Sequence, residues 1–198
     1  RYVYPSYEIE DQNFGRLNCH KSFDNCITPL NMGNEKKELL KLQGEKSFFI
    51  QFDFKHMEVS MLQWLTQDAA LKHAMDINED LYKGIYQIIF RQPCDTDEKR
   101  GVVKSLFLPI MFGLYPEDGS QIAAVRMAIK DNFKTAWDFM ESHQERVKSA
   151  PIAKDYFGRP RSFTDKPLRV RGFMVQSASA IFCQEKLIEL YNSLDNYG

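Results

Sequence analysis

The sequence predicts an α+β fold that is mostly helical, with a small amount of sheet toward its N-terminus. Three observations carry this expectation. Residues 47–54, Ser-Phe-Phe-Ile-Gln-Phe-Asp-Phe, make an almost wholly apolar run of strand length, as a strand covered on both faces should. Just after Asp53 the apolar period changes from two to about 3.6, with Met57, Met61, Leu62 and Leu65 at helical spacing. From Asp76 onward helical patterns prevail, interrupted only by a Gly- and Pro-bearing stretch at 156–170.

The remaining elements follow in order. Residues 2–9, Tyr-Val-Tyr-Pro-Ser-Tyr-Glu-Ile, are aromatic and β-branched and suit a strand that Pro5 confines to an edge. A turn at Asn13-Phe14-Gly15 comes next, and residues 35–46 are charged and loop-like. Asp76-Ile77-Asn78-Glu79 supplies cap-like residues before a helix carrying Leu81, Ile85, Ile88 and Ile89. Asp95-Thr96-Asp97-Glu98 starts another, with acids near the positive end of the helix dipole. That helix runs through Phe112 and stops at Gly113, and Pro109 inside it removes a backbone donor and should kink it. Helices near 118–130 and 132–148, a hairpin or loop at 156–170 and a final helix over 171–194 complete the chain.

Composition bounds the class of protein. A chain of 198 residues, 43% hydrophobic, is enough for one large domain or two small ones with a buried core. With 10 Gly and 8 Pro it is neither collagen-like nor mostly disordered. The longest apolar run, Leu106 to Tyr115, is broken by Pro109 and falls short of the ~18 residues of a membrane span. No basic segment followed by an apolar one opens the chain, so a soluble, cytoplasmic protein is expected, with no membrane partner. The four cysteines form no CxxC pair, and Cys19, His20 and Cys26 are poorly spaced for zinc, so buried thiols are expected.

Net charge is only −1, but its distribution is uneven. Lys154, Arg159, Arg161, Lys166, Arg169 and Arg171 face only Asp155 and Asp165 within 154–171, a strip suited to anions or simply to solvent. Asp53, inside an apolar run, needs a cation, donors or water, because an isolated buried carboxylate costs several kcal/mol. It is either a cap for the helix that follows or a metal-ligating acid at a strand end, of the kind magnesium takes. Glu58, in the first helical turn, is either a capping acid or a side chain that walls off what the metal holds. Arg100, Lys104, Leu108 and Phe112, four residues apart, step round a helix by about 40° each and make one slowly turning stripe. Such a stripe could bind phosphates at its cationic end and stack a base at its apolar end, or be a solvated pair above two core residues.

The order of these pieces resembles the family A (bacterial polymerase I-like and phage) DNA polymerases. Gly15-Arg16-Leu17 and Asn25-Cys26-Ile27-Thr28-Pro29 are similar to the family's Gly-Arg-Leu and Asn-Ile-Pro segments. Asp53-Phe54-Lys55-His56-Met57-Glu58 resembles motif A, Asp-Tyr-Ser-Gln-Ile-Glu, and Arg100-x3-Lys104-x7-Phe112-Gly113 has the spacing of motif B. Asp76-Ile77-Asn78 sits where the family has Asp-Ile-His, and Phe157-Gly158-Arg159 and Gln176-Ser177-Ala178 resemble its later hairpin and helix. The resemblance implies a right-hand polymerase fold in which mostly helical fingers join a partial antiparallel palm sheet. It divides the chain into a partial palm with motif A (1–75), fingers with the motif B helix (76–150), and a fingers-to-palm hairpin with the long C-terminal helix (151–198).

The same resemblance implies roles. Asp53 and the Phe54 carbonyl would ligate two catalytic Mg2+ ions, and Glu58 would crowd a 2′-hydroxyl and favour deoxynucleotides. Arg100 and Lys104 would hold the triphosphate, assisted by Asn78, while Leu108 and Phe112 flank sugar and base. Lys104 would share in catalysis, and Arg16, Arg159, Arg169, Arg171 and Gln176 would touch primer–template DNA. The implied activity is template-directed transfer of deoxynucleotides to a primer 3′-end by two-metal chemistry.

The sequence also departs from the family pattern. Phe112 replaces Tyr, Leu108 stands where an aromatic is common, Pro109 where Gly is common, Asn78 where His is usual, and Gly172 where a polar residue is usual. Motif C, a His-Asp-Glu hairpin, is absent between Gln176 and Gly198. Two metals need more carboxylate than Asp53 provides, so the isolated chain is expected not to polymerise unaided, the second acid coming from another polypeptide or from further sequence. The competing expectation is a catalytically inactive, polymerase-derived subunit that binds DNA or a partner. A single-subunit RNA polymerase is disfavoured by Glu58.

Overall fold

A computed structural model describes residues 7–8, 18–19, 35, 53–114 and 120–194. The chain divides into two units, Arg1–Lys55 and His56–Gly198. In the first, strands β1 (Tyr7–Glu8) and β2 (Asn18–Cys19) pair antiparallel, with Tyr7 opposite Cys19 and Glu8 opposite Asn18. The turn expected at 13–15 and most of the apolar run at 47–54 lie outside the described residues. Of that run only Asp53 and Phe54 are described, and they are irregular, leading into a turn at Lys55 and His56.

The second unit holds seven helices and one hairpin among the described residues. Helix α1 (Met57–Thr66) starts behind His56, whose φ of 54° turns the chain sharply into the helix. It buries Val59, Met61 and Leu62 and ends at Gln67. Asp68 caps α2 (Ala69–Ile77) by accepting from the N–H groups of Ala70 and Leu71, both at 2.9 Å. Its other oxygen, Oδ2, accepts at 2.9 Å from the N–H of Ala136, the third residue of a distant helix whose own N-cap, Phe133, has no side-chain acceptor. One buried carboxylate therefore caps two helices.

Helix α3 (Leu81–Phe90) is capped by Asp80, not by the 76–79 segment, because α2 continues through Ile77 and Asn78 breaks it with extended backbone. Leu81, Tyr82, Ile85, Tyr86 and Ile89 form the broad buried stripe of a core helix. α2 and α3 approach so closely that a Cβ on Gly84 would lie 2.1 Å from the carbonyl oxygen of Ala74. Helix α4 (Asp97–Met111), capped by Thr96, buries Val103, Phe107, Ile110 and Met111 and tolerates Pro109 near its end. Gly113, at φ 81°, turns the chain out of the helix, a geometry that favours glycine.

Helices α5 (Ser120–Asn132) and α6 (Lys134–Ser149) meet at Phe133, whose ring packs edge-on to Phe107 at 5.3 Å. Together with Trp137, Met140, Leu62, Leu71, Ile85 and Val175 these residues form the core. Strands β3 (Ile152–Lys154) and β4 (Pro160–Ser162) pair antiparallel, so the expected hairpin begins four residues earlier than its glycine and prolines suggest. The final helix, α7 (Arg169–Leu194), runs 26 residues and is buried from Val170 to Val175 and from Ser177 to Ala180. The architecture is α+β and mostly helical, as the sequence predicts. No helix among the described residues is long and apolar enough to cross a membrane.

Candidate functional site

The α1–α7 crossing brings two sequence-predicted residues together. Gln176 Nε2 donates to Glu58 Oε1 at 2.9 Å, joining residues 118 positions apart. A carboxylate only accepts, so the amide NH2 must face Glu58 and its oxygen must point elsewhere. That oxygen faces Gly172: a Cβ there would lie 3.7 Å from Gln176 Oε1 and 3.8 Å from the Phe112 ring. Phe112 at the end of α4, Gly172 and Gln176 on α7, and Glu58 on α1 thus line one patch.

Tyr82 extends the patch toward the cations. Burial pushes its phenol upward from the usual value, and the negative charges of Glu58 and Asp80 push the same way against Arg100. The His56 ring meets Tyr82 edge-on at 5.0 Å, and the Arg100 guanidinium lies over its face at 5.7 Å. Arg100 Nε also donates to Asp80 Oδ2 at 2.6 Å. Burial alone would raise the Asp80 carboxyl, but the Arg100 hydrogen bond and charge, the Lys83 N–H and His56 together hold it below the ordinary range. Asn78 Oδ1 accepts from the Asp80 N–H at 3.0 Å, leaving its amide NH2 as the donor end.

On α4, Lys104 is exposed one turn beyond Arg100, while Leu108 and Phe112 are half-buried and pack on the core. The predicted stripe therefore runs from a half-buried, ion-paired Arg100 and an exposed Lys104 into apolar packing. Arg100 has a carboxylate partner that the stripe did not reveal; Asp80 precedes it by 20 residues, and only the fold brings them together.

The other predicted residues lie elsewhere. Arg159 Nε donates to Asp155 at 2.7 Å, and its Nη2 donates to Ser177 Oγ, which in turn donates to the same Asp155 carboxylate. The Asp155 side chain is completely enclosed, and although burial raises its carboxyl, the Ser177 and Arg159 donors win and lower it. Arg171 is buried with its guanidinium 5.3 Å from the Trp137 ring. Arg169 is exposed at the start of α7, and burial together with the Arg169 charge lowers Arg161. Arg16 lies outside the described residues.

Asp53 and Phe54 belong to the first unit, where Asp53 is exposed and Phe54 half-buried. A carboxylate and a backbone carbonyl are hard oxygen donors, which suits a magnesium ion that keeps waters and takes phosphate oxygens as its remaining ligands. No group of three or more His, Cys, Asp or Glu side chains converges on a metal position among the described residues.

No family model matches the chain, and no curated protein matches it. Among solved structures, the chain is similar to the POL domain of Pol1 from M. smegmatis, solved in complex with DNA primer-template and dNTP. The TM-score is 0.64 with 18% identity, over 90% of this chain and 35% of that one. At this identity the likeness is one of fold, and the chain spans about a third of its neighbour's length: the fold is that of part of a DNA polymerase domain.

Proposed function

We propose that this chain forms the nucleotide-binding part of a family A-like, template-directed DNA polymerase, with deoxynucleoside triphosphates and primer–template DNA as its partners. The observation that supports this most is the patch from Arg100 across Tyr82 and Glu58 to Gln176 and Phe112. It lies within a chain that shares its fold with a polymerase domain over 90% of its length.

In this reading Arg100 and Lys104 take the triphosphate. A guanidinium matches phosphate oxygens in a planar, two-pronged way, whereas Lys104 acts as a mobile point charge. At rest Arg100 is neutralised by Asp80, so an arriving phosphate must displace that carboxylate, which keeps its α3 N–H donors. The Asn78 amide NH2 supplies a further, uncharged donor. Leu108 and Phe112 flank sugar and base, and Glu58 fills the space that a 2′-hydroxyl would need. The exposed Arg169, close enough to Arg161 to repel it, suits successive phosphates of a DNA strand, whereas Arg159 is engaged by Asp155 and Ser177 and Arg171 is buried beside Trp137. Asp53 and the Phe54 carbonyl would hold magnesium, which supplies charge stabilisation during phosphoryl transfer. The structural neighbour lends no support to a second polypeptide, and none is proposed.

Titration calorimetry with dATP and primer–template DNA tests the reading. Lys104→Ala should weaken dATP binding about tenfold or more, the loss of a charge-assisted contact. A chain that binds DNA but is indifferent to this change is a degenerate binder, and the proposal then fails.

A further inference from the structure

We propose that Gln176 is a positioning residue that sets the rotamer of Glu58 and thereby the sugar selectivity of the nucleotide site. The inference rests on the reading of Glu58 given above and adds to it the group that makes the carboxylate effective. A half-buried glutamate on a first helical turn has several rotamers open to it, and a side chain that excludes a hydroxyl by occupying space must be held in one of them. Gln176 provides that restraint through the 2.9 Å hydrogen bond from Nε2 to Oε1.

The support behind Gln176 is rigid. Val175 and Ser177 on either side of it are fully enclosed, and Ser177 is fixed by Asp155 and Arg159. Gly172, one turn earlier, places the Phe112 ring and the Gln176 amide oxygen at similar distances, 3.8 and 3.7 Å from where a Cβ would stand. Phe112 has no hydroxyl and offers no donor on this wall, so the amide supplies it. The Glu58 charge is near enough to Tyr82 to help push its phenol upward. The hydrogen bond that restrains the carboxylate thus comes from a different helix, α7.

Binding of dATP and of ATP is measured in parallel on wild-type chain, Gln176→Ala, Glu58→Ala and the double variant, each with primer–template DNA presenting thymine. Wild-type chain should prefer dATP. Gln176→Ala should lower that preference about tenfold, mainly through tighter ATP binding, and should add nothing in the Glu58→Ala background. Gln176→Asn, whose amide is one methylene too short, should behave like Gln176→Ala and replaces it if alanine unsettles α7, as read by the thermal midpoint. The inference is overturned if Gln176→Ala keeps the wild-type preference. It is equally overturned if that variant lowers the preference as much without Glu58, which would make Gln176 a direct contact of the DNA. If Glu58→Ala alone leaves the preference intact, the gate reading itself fails and takes this inference with it.

Discussion

Asp68 gives the sharpest test of how the helical unit is held together, because its two carboxylate oxygens serve three backbone donors on two helices. Oδ1 accepts from Ala70 and Leu71, and Oδ2 from Ala136. Asp68→Ala removes both caps, at about 1 kcal/mol each, and leaves the Ala136 N–H buried without an acceptor, a further cost of about 1–3 kcal/mol. Allowing for overlap between these terms, the total is about 2–4 kcal/mol. Asp68→Asn discriminates further. Asparagine caps a single helix as well as aspartate does, but its one oxygen cannot serve both ends. With that oxygen kept on α2, an NH2 group meets the Ala136 N–H, donor against donor, at a cost of about 1–3 kcal/mol. Urea unfolding of the three proteins at neutral pH should therefore rank wild type above Asp68→Asn and Asp68→Asn above Asp68→Ala, with similar slopes. An Asp68→Asn protein within about 0.5 kcal/mol of wild type would refute the two-helix cap.

Three further outcomes are expected. Asp155 is lowered in the folded state, so its contribution is fully present above the unfolded value and is lost as pH falls through the folded one; the stability gap between wild type and Asp155→Asn should be constant above about pH 5 and shrink below about pH 4 in unfolding curves taken across pH. Gly84→Ala drives a methyl into the Ala74 carbonyl and should destabilise by about 1–3 kcal/mol in urea unfolding, despite the better helix propensity of alanine. Asp80→Asn keeps the α3 cap but removes the anion 2.6 Å from Arg100, so dATP binding by calorimetry should tighten about three- to tenfold; weaker binding would mean that Asp80 aims Arg100 rather than competes for it.

Local signals in the sequence locate most of the helices. The period change after Asp53 leads to α1, Thr96 with its following acids starts α4, and Gly113 ends it with the left-handed geometry that glycine accommodates. The break at Phe133 and the span of α7 are legible within two residues, since each depends on neighbours along the chain. The α2–α3 boundary is less so, because Asp76, Asn78 and Asp80 are all plausible caps by composition and only the backbone decides between them. In the candidate site, spacing reveals the Arg100–Phe112 stripe and motif order marks Glu58 and Gln176. Their partners stay hidden: Asp80 meets Arg100 across 20 residues, Asp68 meets Ala136 across 68, and Gln176 meets Glu58 across 118. Periodicity carries no information at such separations. In the basic strip at 154–171, likewise, spacing does not reveal that Arg159 is tied to a fully enclosed acid.

The Asp155, Ser177 and Arg159 triad has a consequence for timescale. A two-stranded hairpin of three residues a side is marginal by itself and would open and close freely in water. Bolted through a buried carboxylate to the packed half of a 26-residue helix, it opens only when that helix loosens, so its backbone amides inherit the exchange lifetime of the core.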